Sequence, residues 1–449
     1  MTEQGPIKAI MNWLRESVTV KLMFIGFLIL VLMIPSSLIG DLITERTARQ
    51  KDMIKDIADK WSGSQLIKGP VLIIPYRKTV NYIDVNQKEL TKEVIENLYV
   101  LPDNLHISAN LEPEVLHRGM FDGVVYNSTV KVSGNFGKAD LAIFSLSPNQ
   151  LLWDKAKLTF SISDLKGLKN NPVLTAAGMQ LSAEPTFNNK DLFTDGLQAN
   201  INLSTIKDGV FTFNYTLYLK GSQDLHFLHL GKTTDVQVSG KWPTPSFDGR
   251  YLPDTRKVDD NGFKANWRML YYNRPFPQQW TGDNTLLNNE KKQESASFGV
   301  KLRLPVDQYQ KITRTSKYAI LIILLTFISL FLTEVIRRQR VHVFNYVLIG
   351  AAMIIYYTLL LSFSEQVGYN IAYLIASAST IVLVSVFISS LMNNKKAAAM
   401  FAAILSVFYG FIFIIIQLED FALLVGSLAL FAIVAALMYF SRKINWDNY

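Results

Sequence analysis

Six long apolar runs constrain the fold of this 449-residue chain more than any other feature. Hydrocarbon offers no hydrogen-bonding partner, so a segment that crosses a bilayer must satisfy its own backbone groups, and about 20 helical residues cross a core of ~30 Å. The runs are apolar on all sides, which argues against helices at the surface of a soluble core. We therefore predict six membrane-spanning helices at residues 22–39, 318–333, 344–363, 369–392, 397–417 and 421–440.

The first apolar run also has the length of a signal-peptide core. Cleavage requires small residues at the −3 and −1 positions, and no choice near Ser36, Ser37 or Gly40 supplies a good pair before Asp41. We therefore expect this run to remain as an uncleaved membrane anchor.

Basic residues in the short segments between the runs predict the orientation of the chain. Ten Lys and Arg lie before the first run, between the second and third, between the fourth and fifth, and after the sixth, which is one side of the membrane. The short loops on the other side hold Glu365, Glu419 and Asp420 and no basic residue. The positive-inside rule then places residues 1–21 and 441–449 in the cytoplasm and the large middle region outside it.

The middle region carries two further patterns. Met53, Ile57 and Trp61 lie at helical spacing among charged residues, which predicts an amphipathic stalk helix over residues 41–62. Residues 63–317 contain short β-rich segments that alternate, as in Val210–Leu219, and are separated by turn residues. This pattern predicts a large, mainly-β extracytoplasmic domain, antiparallel and sandwich-like, beside the membrane α-helical bundle. Prolines and Asn/Asp predict long loops over Pro243–Glu294.

The charge distribution argues against a nucleic-acid partner. The net charge is +8, but 35 of the 45 Lys and Arg and 30 of the 37 Asp and Glu lie between Asp41 and Lys317, so the middle region is mixed in sign. The remaining basic residues lie at the membrane edges, which leaves the lipid bilayer as the predicted partner, with envelope components or other membrane proteins as further candidates. The chain has no cysteine, which excludes disulfides and thiolate chemistry.

Two short motifs were tested for cofactor or metal binding. Gly231-Lys232-Thr233-Thr234 resembles the end of a phosphate-binding loop, but the earlier glycine is replaced by His226, so a hairpin turn is the simpler interpretation. His226 and His229 lie three apart in a predicted strand and therefore point to opposite faces. The sequence predicts no catalytic residue, no cofactor and no metal site.

Charged residues at the predicted outer membrane face form the one candidate site. Ordinary solvated charges at the interface are the simpler interpretation. The functional alternative is an ionic cluster that joins the helices to the outer domain, because charges at membrane depth tend to pair. Its members are Arg314, Lys317, Glu365, Glu419 and Asp420.

A specific set of motifs is spread along nearly the whole chain. The motifs are Lys68–Pro70 with Pro75, Arg118–Phe121 with Tyr126, Trp242–Phe247 with Gly249 and Leu252–Pro253, Val306–Tyr309, Arg314 with Lys317–Tyr318, Ser362–Glu365, Gln417–Asp420 with Ala422–Ser427, and Arg442–Lys443 with Asn445–Trp446. Together they resemble the CreD family of bacterial inner-membrane proteins, which are known as cell envelope integrity proteins. The resemblance implies a role in envelope integrity or stress, linked in some bacteria to a two-component regulon and to β-lactam or colicin tolerance, and it implies no defined reaction.

Three functions remain open on the sequence. The first is a non-enzymatic membrane protein that supports envelope integrity. The second is a transporter or gated assembly, which would require ionisable residues buried within the spans. The third is an envelope-modifying enzyme, which would require a cleft with converging polar groups in the β domain.

The predicted orientation can be tested with reporters. Alkaline phosphatase inserted near residue 200 is expected to be active and green fluorescent protein at the same position dark, because that position is predicted to lie outside the cytoplasm. At the C-terminus the two reporters should behave in the opposite way. A cytoplasmic signal near residue 200 would contradict the orientation.

Overall fold

A computed structural model describes residues 18–83, 89–186, 192–193, 195–206, 209–304, 308–337, 341–418 and 421–442. The chain divides into two compact units. One comprises residues up to Gln50 together with those from Val306 onward, and the other is Lys51–Pro305. The first unit is helical and the second is mainly β.

The apolar runs of the sequence form long helices. The helices are α1 (Val18–Trp61), α2 (Glu290–Glu294), α3 (Gln308–Lys317), α4 (Ala319–Arg337), α5 (Val343–Val367), α6 (Tyr369–Met392), α7 (Lys395–Gln417) and α8 (Ala422–Ser441). Within the described residues, α1, α5, α6 and α7 are each long and apolar enough to cross a membrane. Helices α3 and α4 make a fifth candidate span if this pair, bent by 41°, is counted as one. A sixth span stays a prediction.

Helix α1 continues through the predicted stalk without a break. Its part up to Gln50 presents a buried stripe of Ile25, Leu28 and Leu32 to the helical unit. The part from Lys51 packs on the β unit, where Ile57 is buried and lies so close to Gly123 that an added Cβ there would be 2.9 Å from Ile57 Cδ1.

Small residues allow the helices of the first unit to approach closely. A Cβ on Gly350 of α5 would lie 2.3 Å from a methyl group of Leu32, so only glycine fits there. On α6, Ala372, Ala376 and Thr380 are buried. Close packing, rather than a hydrophobic force, holds helices together where the surrounding medium is itself apolar.

The β unit contains two sheets with seventeen described strands. The strands are β1 (Gln65–Ile83), β2 (Glu89–Val100), β3 (Asn104–Arg118), β4 (Phe121–Phe136), β5 (Ala156–Ile162), β6 (Val173–Ala176), β7 (Met179–Ser182), β8 (Glu184–Pro185), β9 (Gly196–Ile201), β10 (Phe211–Ser222), β11 (Asp224–Leu228), β12 (Thr233–Gly240), β13 (Pro245–Gly249), β14 (Thr255–Asp259), β15 (Gly262–Leu270), β16 (Gln279–Thr281) and β17 (Ser297–Leu302).

The two sheets combine pairs of consecutive strands, such as β3 with β4, with pairs of strands that are distant in sequence. The first sheet runs β13-β17-β11-β1-β5-β9-β8, with β2 paired to β1 and β16 to β2. The second runs β14-β15-β12-β3-β4-β10-β6-β7. Most pairs are antiparallel, as the sequence predicts, but β1 with β11 and β3 with β12 are parallel. These two pairs join strands that are far apart in sequence, which permits parallel pairing without a hairpin.

Both sheets contribute to one hydrophobic core. The predicted alternation is confirmed in β10, where Phe213, Tyr215 and Leu217 are buried and the residues between them face outward. Tyr215 stacks on Phe160 of β5, in the other sheet, with ring centroids 4.7 Å apart. Trp267 of β15 also contacts Phe298 of β17, with ring centroids 5.6 Å apart and the ring planes tilted by 49°. Aromatic packing therefore connects the two sheets.

Two local predictions were wrong. The segment from Gly231 to Thr234 is not a hairpin turn, because β11 belongs to the first sheet and β12 to the second. The predicted loops of Pro243–Glu294 contain β13, β14 and β16, besides β15, which the sequence predicts as a strand at Gly262–Arg268. The three unexpected strands each pair on one side only, at the edges of sheets, where proline is tolerated and alternation is weak.

Candidate functional site

A buried ion pair connects three helices of the first unit. Lys21 of α1 forms an ion pair with Glu334 of α4, and the ammonium group also donates to the backbone oxygen of Val341 at 2.8 Å. Tyr346 of α5 donates its hydroxyl to the other oxygen of Glu334 at 3.1 Å. The side chains of Lys21 and Glu334 are only 19% and 10% exposed, so the pair is largely removed from solvent.

The local sequence does not predict this pair. The second apolar run ends at Thr333, one residue before Glu334, and Lys21 is one of the basic residues that flank the spans. One signal in the sequence is the charge of Glu334 itself. This acidic residue directly follows the second apolar run, whereas the other charged residues between the second and third runs are basic.

A second set of polar contacts lies at the other end of the helical unit. Arg46 Nε of α1 is 3.8 Å from Glu365 Oε1 of α5, and the side chain of Glu365 is 11% exposed. Helix α3 then bonds to three spans through three side chains. Tyr309 donates to Glu365 at 3.0 Å, Thr315 and Tyr369 share a hydrogen bond of 2.8 Å, and Lys311 donates to Gln417 at 2.9 Å.

The predicted ionic cluster is only partly visible. Glu365 is paired, but its described partners are Arg46 and Tyr309. Arg314 is half-buried on α3, and Lys317 is exposed at the end of α3. Glu419 and Asp420 lie outside the described residues. The cluster as a whole therefore stays a prediction.

Tyrosines fill the centre of the bundle between the two polar ends. Tyr356 of α5 lies 4.8 Å from Tyr357 and 4.8 Å from Tyr409 of α7, measured between ring centroids. Tyr373 of α6 donates its hydroxyl to the backbone oxygen of Tyr409 at 2.7 Å. The hydroxyls of Tyr357 and Tyr409 are buried and have no partner in the part of the chain that the structure describes. Such hydroxyls would stabilise water or a polar solute at this depth.

The two histidines of β11 and its flank do not form a metal site. Nε2 of His226 lies 2.7 Å from Oδ1 of Asp248 on β13. His229 is fully buried, and its ring contacts Tyr251 edge-on at 5.9 Å. In the described ranges no group of three residues is placed to hold a metal. Burial, with the charge of Arg274, lowers the pKa of His229 to about 4, so this side chain is neutral at pH 7.

The β unit has a surface groove of about 220 Å³ near the start of β5. Its polar lining includes Lys155, Lys157, Asn97 and Gln198, and Lys157 donates to Gln198 at 3.4 Å. Tyr99 and aliphatic side chains form the rest of the wall. None of the described lining residues is a carboxylate, so the groove is cationic and suits an anionic group better than an acid and base pair.

The helical unit is a bundle of apolar helices with charged groups at both ends, and the same chain forms a unit of two β-sheets. These features define a multi-pass membrane protein with a large mainly-β domain. The sequence matches the family model described as Inner membrane protein CreD over residues 17–447. The chain therefore belongs to the CreD family. It is 29% identical over 423 residues to Inner membrane protein CreD of Escherichia coli K12, which covers 93% of this chain and 91% of that protein. Family membership and the apolar helices support a location in the bacterial inner membrane.

Neutralising the buried ion pair tests its contribution to stability. Lys21→Met leaves Glu334 buried without a counter-charge, and a single loss of this kind costs about 3 to 5 kcal/mol. Glu334→Leu should cost less, because the long stem of Lys21 can carry its charge to the membrane surface. The double variant should lose less free energy of unfolding than the two single variants lose together, with a difference of about 1 to 3 kcal/mol. Unfolding of the full chain in bicelles measures each value.

The exposed pair of Glu45 and Arg49, with side chains 53% and 59% exposed, is the matched control. The same exchanges there, Glu45→Leu and Arg49→Met, should change the free energy of unfolding by less than ~1 kcal/mol. Strict additivity of the Lys21 and Glu334 changes would show that the two charges do not interact.

The pH dependence of stability tests the neutral state of His229. An unfolded histidine has a pKa of ~6.5, so the folded state, with its lower value, resists protonation. The resulting stability is present above pH ~6.5 and is lost as the pH falls towards 4. Between pH 7 and pH 4, the free energy of unfolding of His229→Gln should therefore fall by about 3 kcal/mol less than that of the wild type, because each pKa unit corresponds to ~1.4 kcal/mol.

The wild-type chain, measured at the same pH values, serves as the reference. Urea titrations of the full chain in detergent, followed by tryptophan fluorescence, supply the values. Equal slopes for His229→Gln and the wild type would contradict a neutral buried imidazole.

Proposed function

We propose that this protein is a non-enzymatic inner-membrane protein that supports the integrity of the cell envelope or its response to stress. In this proposal six helices cross the membrane, both termini are cytoplasmic, and the two sheets form a sandwich-like periplasmic domain. Membership of the CreD family carries the proposal, together with the division of the chain into a helical unit and a β unit. The β unit presents a surface to envelope components, and the helices hold it at the membrane.

The cationic groove of the β unit, defined by Lys155 and Lys157, supports this proposal. Components of the bacterial envelope carry phosphate and carboxylate groups, and two lysines beside an apolar wall with Tyr99 suit such a group attached to a larger body. We propose this groove as the contact surface for an anionic envelope component.

The experiment is complementation of a deletion strain. We expect deletion to raise sensitivity to detergent, β-lactam or colicin, and the wild-type gene to restore resistance. Lys155→Gln with Lys157→Gln should restore it only partly, because the groove loses both positive charges. The strain is scored by survival curves, with immunoblotting to confirm equal amounts of protein.

Lys257→Gln with Lys264→Gln removes the same charge from exposed positions on β14 and β15 and should complement fully. A deletion strain with unchanged sensitivity to all three agents would contradict the envelope role. Full complementation by the Lys155 and Lys157 double variant would contradict only the role of the groove and would leave the envelope role standing.

Transport or gating is the second candidate, and the buried charges favour it. Charged residues inside a membrane bundle are costly and tend to be functional. The pair of Lys21 and Glu334 at one end, Glu365 at the other and the tyrosine hydroxyls between them provide polar positions along the helical unit. Complementation by the double variant Lys21→Met with Glu334→Leu, and equally by Glu365→Gln, would show that these charges are dispensable and would remove this candidate.

A further inference from the structure

A groove of about 210 Å³ lies between α1 and the joint of α3 with α4, entirely within the helical unit. Its described lining changes character from one end to the other. The polar residues are Ser36, Ser37, Ser316 and Lys317, and the apolar residues include Ile29, Leu32, Ile320 and Ile323.

The two helices that form the groove run in opposite directions, so their polar residues meet at one end. Ser37 lies eight residues after Ile29 on α1, which is a rise of about 12 Å at 1.5 Å per residue. Ile323 lies four residues after Ala319, the first residue of α4, which is a rise of about 6 Å along that helix. The groove therefore has a polar rim at the predicted membrane surface and apolar walls that continue into the hydrocarbon.

The polar rim carries one positive charge. Lys317 is exposed, and within the described ranges its ammonium group forms no ion pair. Ser37 and Ser316 donate their hydroxyls to backbone oxygens of their own helices at 2.9 Å, which leaves their Oγ atoms free to accept. Ser36 is half-buried, and among the described residues its hydroxyl has no hydrogen bond. The rim thus offers a cation and one hydroxyl donor for an anion, with two acceptors beside them.

We propose that this groove binds one anionic phospholipid of the leaflet at this end of the spans. The acyl chain lies against Ile29, Leu32 and Ile323, and the phosphate accepts from Lys317 and from Ser36. Head-group hydroxyls of phosphatidylglycerol donate to Ser37 and Ser316. The preference over phosphatidylethanolamine comes from charge, because Lys317 complements the phosphate and the ammonium group of ethanolamine would bring a second cation to the same rim.

Native mass spectrometry of the delipidated full-length protein tests this proposal. The probes are phosphatidylglycerol and phosphatidylethanolamine with the same acyl chains, titrated separately. We expect one phosphatidylglycerol to bind more tightly than any phosphatidylethanolamine. Lys317→Gln should weaken that binding about fivefold, because a lysine near an anionic lipid surface contributes about 1 kcal/mol. Ile320→Trp, which fills the apolar part of the groove, should remove the tight site altogether.

Lys257→Gln on β14 is the matched control, because it removes the same charge from a side chain that is 83% exposed and lies in the β unit. Its binding curve should match that of the wild type. Unchanged phosphatidylglycerol binding in Lys317→Gln would overturn the proposal, and so would equal binding of the two lipids by the wild type. Thermal unfolding of each variant shows whether a lost site reflects lost structure, and a loss of lipid from Ile320→Trp counts only if its unfolding temperature is that of the wild type.

Discussion

The demand for backbone hydrogen bonds in hydrocarbon governs the helical unit. Where no water is available, every peptide group must be satisfied within its own helix, and side chains that are polar must find partners or stay at the ends. Lys21 and Glu334 follow this rule by pairing at one end of the unit, and Glu365 does so through Arg46 and Tyr309 at the other. Each of these contacts joins different helices. The buried hydroxyls of Tyr357 and Tyr409, which have no partner among the described residues, are exceptions.

The β unit satisfies its backbone hydrogen bonds in a different way. Its backbone groups pair between strands, and its stability depends on the core that the two sheets share. Aromatic contacts such as Phe160 with Tyr215 connect the sheets, and the buried His229 remains neutral because burial opposes its charge. Polar side chains at the surface, among them Lys155 and Lys157, are then available for binding.

Patterns with a local period predicted much of the fold. The run at residues 369–392 became α6 with the same bounds, and the alternation of Val210–Leu219 became β10. Features that depend on distant residues could not be predicted in this way. Lys21 and Glu334 are 313 positions apart, and neither shows in its local sequence which partner it meets. The parallel pair of β1 with β11 has the same cause.

The candidate site shows the same limit. The sequence identified Glu365 as a residue that meets an opposite charge at the outer membrane face, but Arg46, which the structure places beside it, lies in a helix that reads as an ordinary amphipathic stalk. The role of α3 was hidden too, because Gln308–Lys317 has too few apolar residues to be recognised as part of a membrane bundle. Its three interhelical bonds exist only once the spans have assembled.

The three hydrogen bonds from α3 to the spans constrain the spacing of residues along this helix. Each residue of an α-helix turns the following side chains by about 100°. One added or deleted residue between Tyr309 and Thr315 would rotate Thr315 away from Tyr369 while Tyr309 stayed beside Glu365. In related chains the spacing of Tyr309, Lys311 and Thr315 along α3 should therefore be constant. The length of a surface turn such as the one at Gly119 is free to vary.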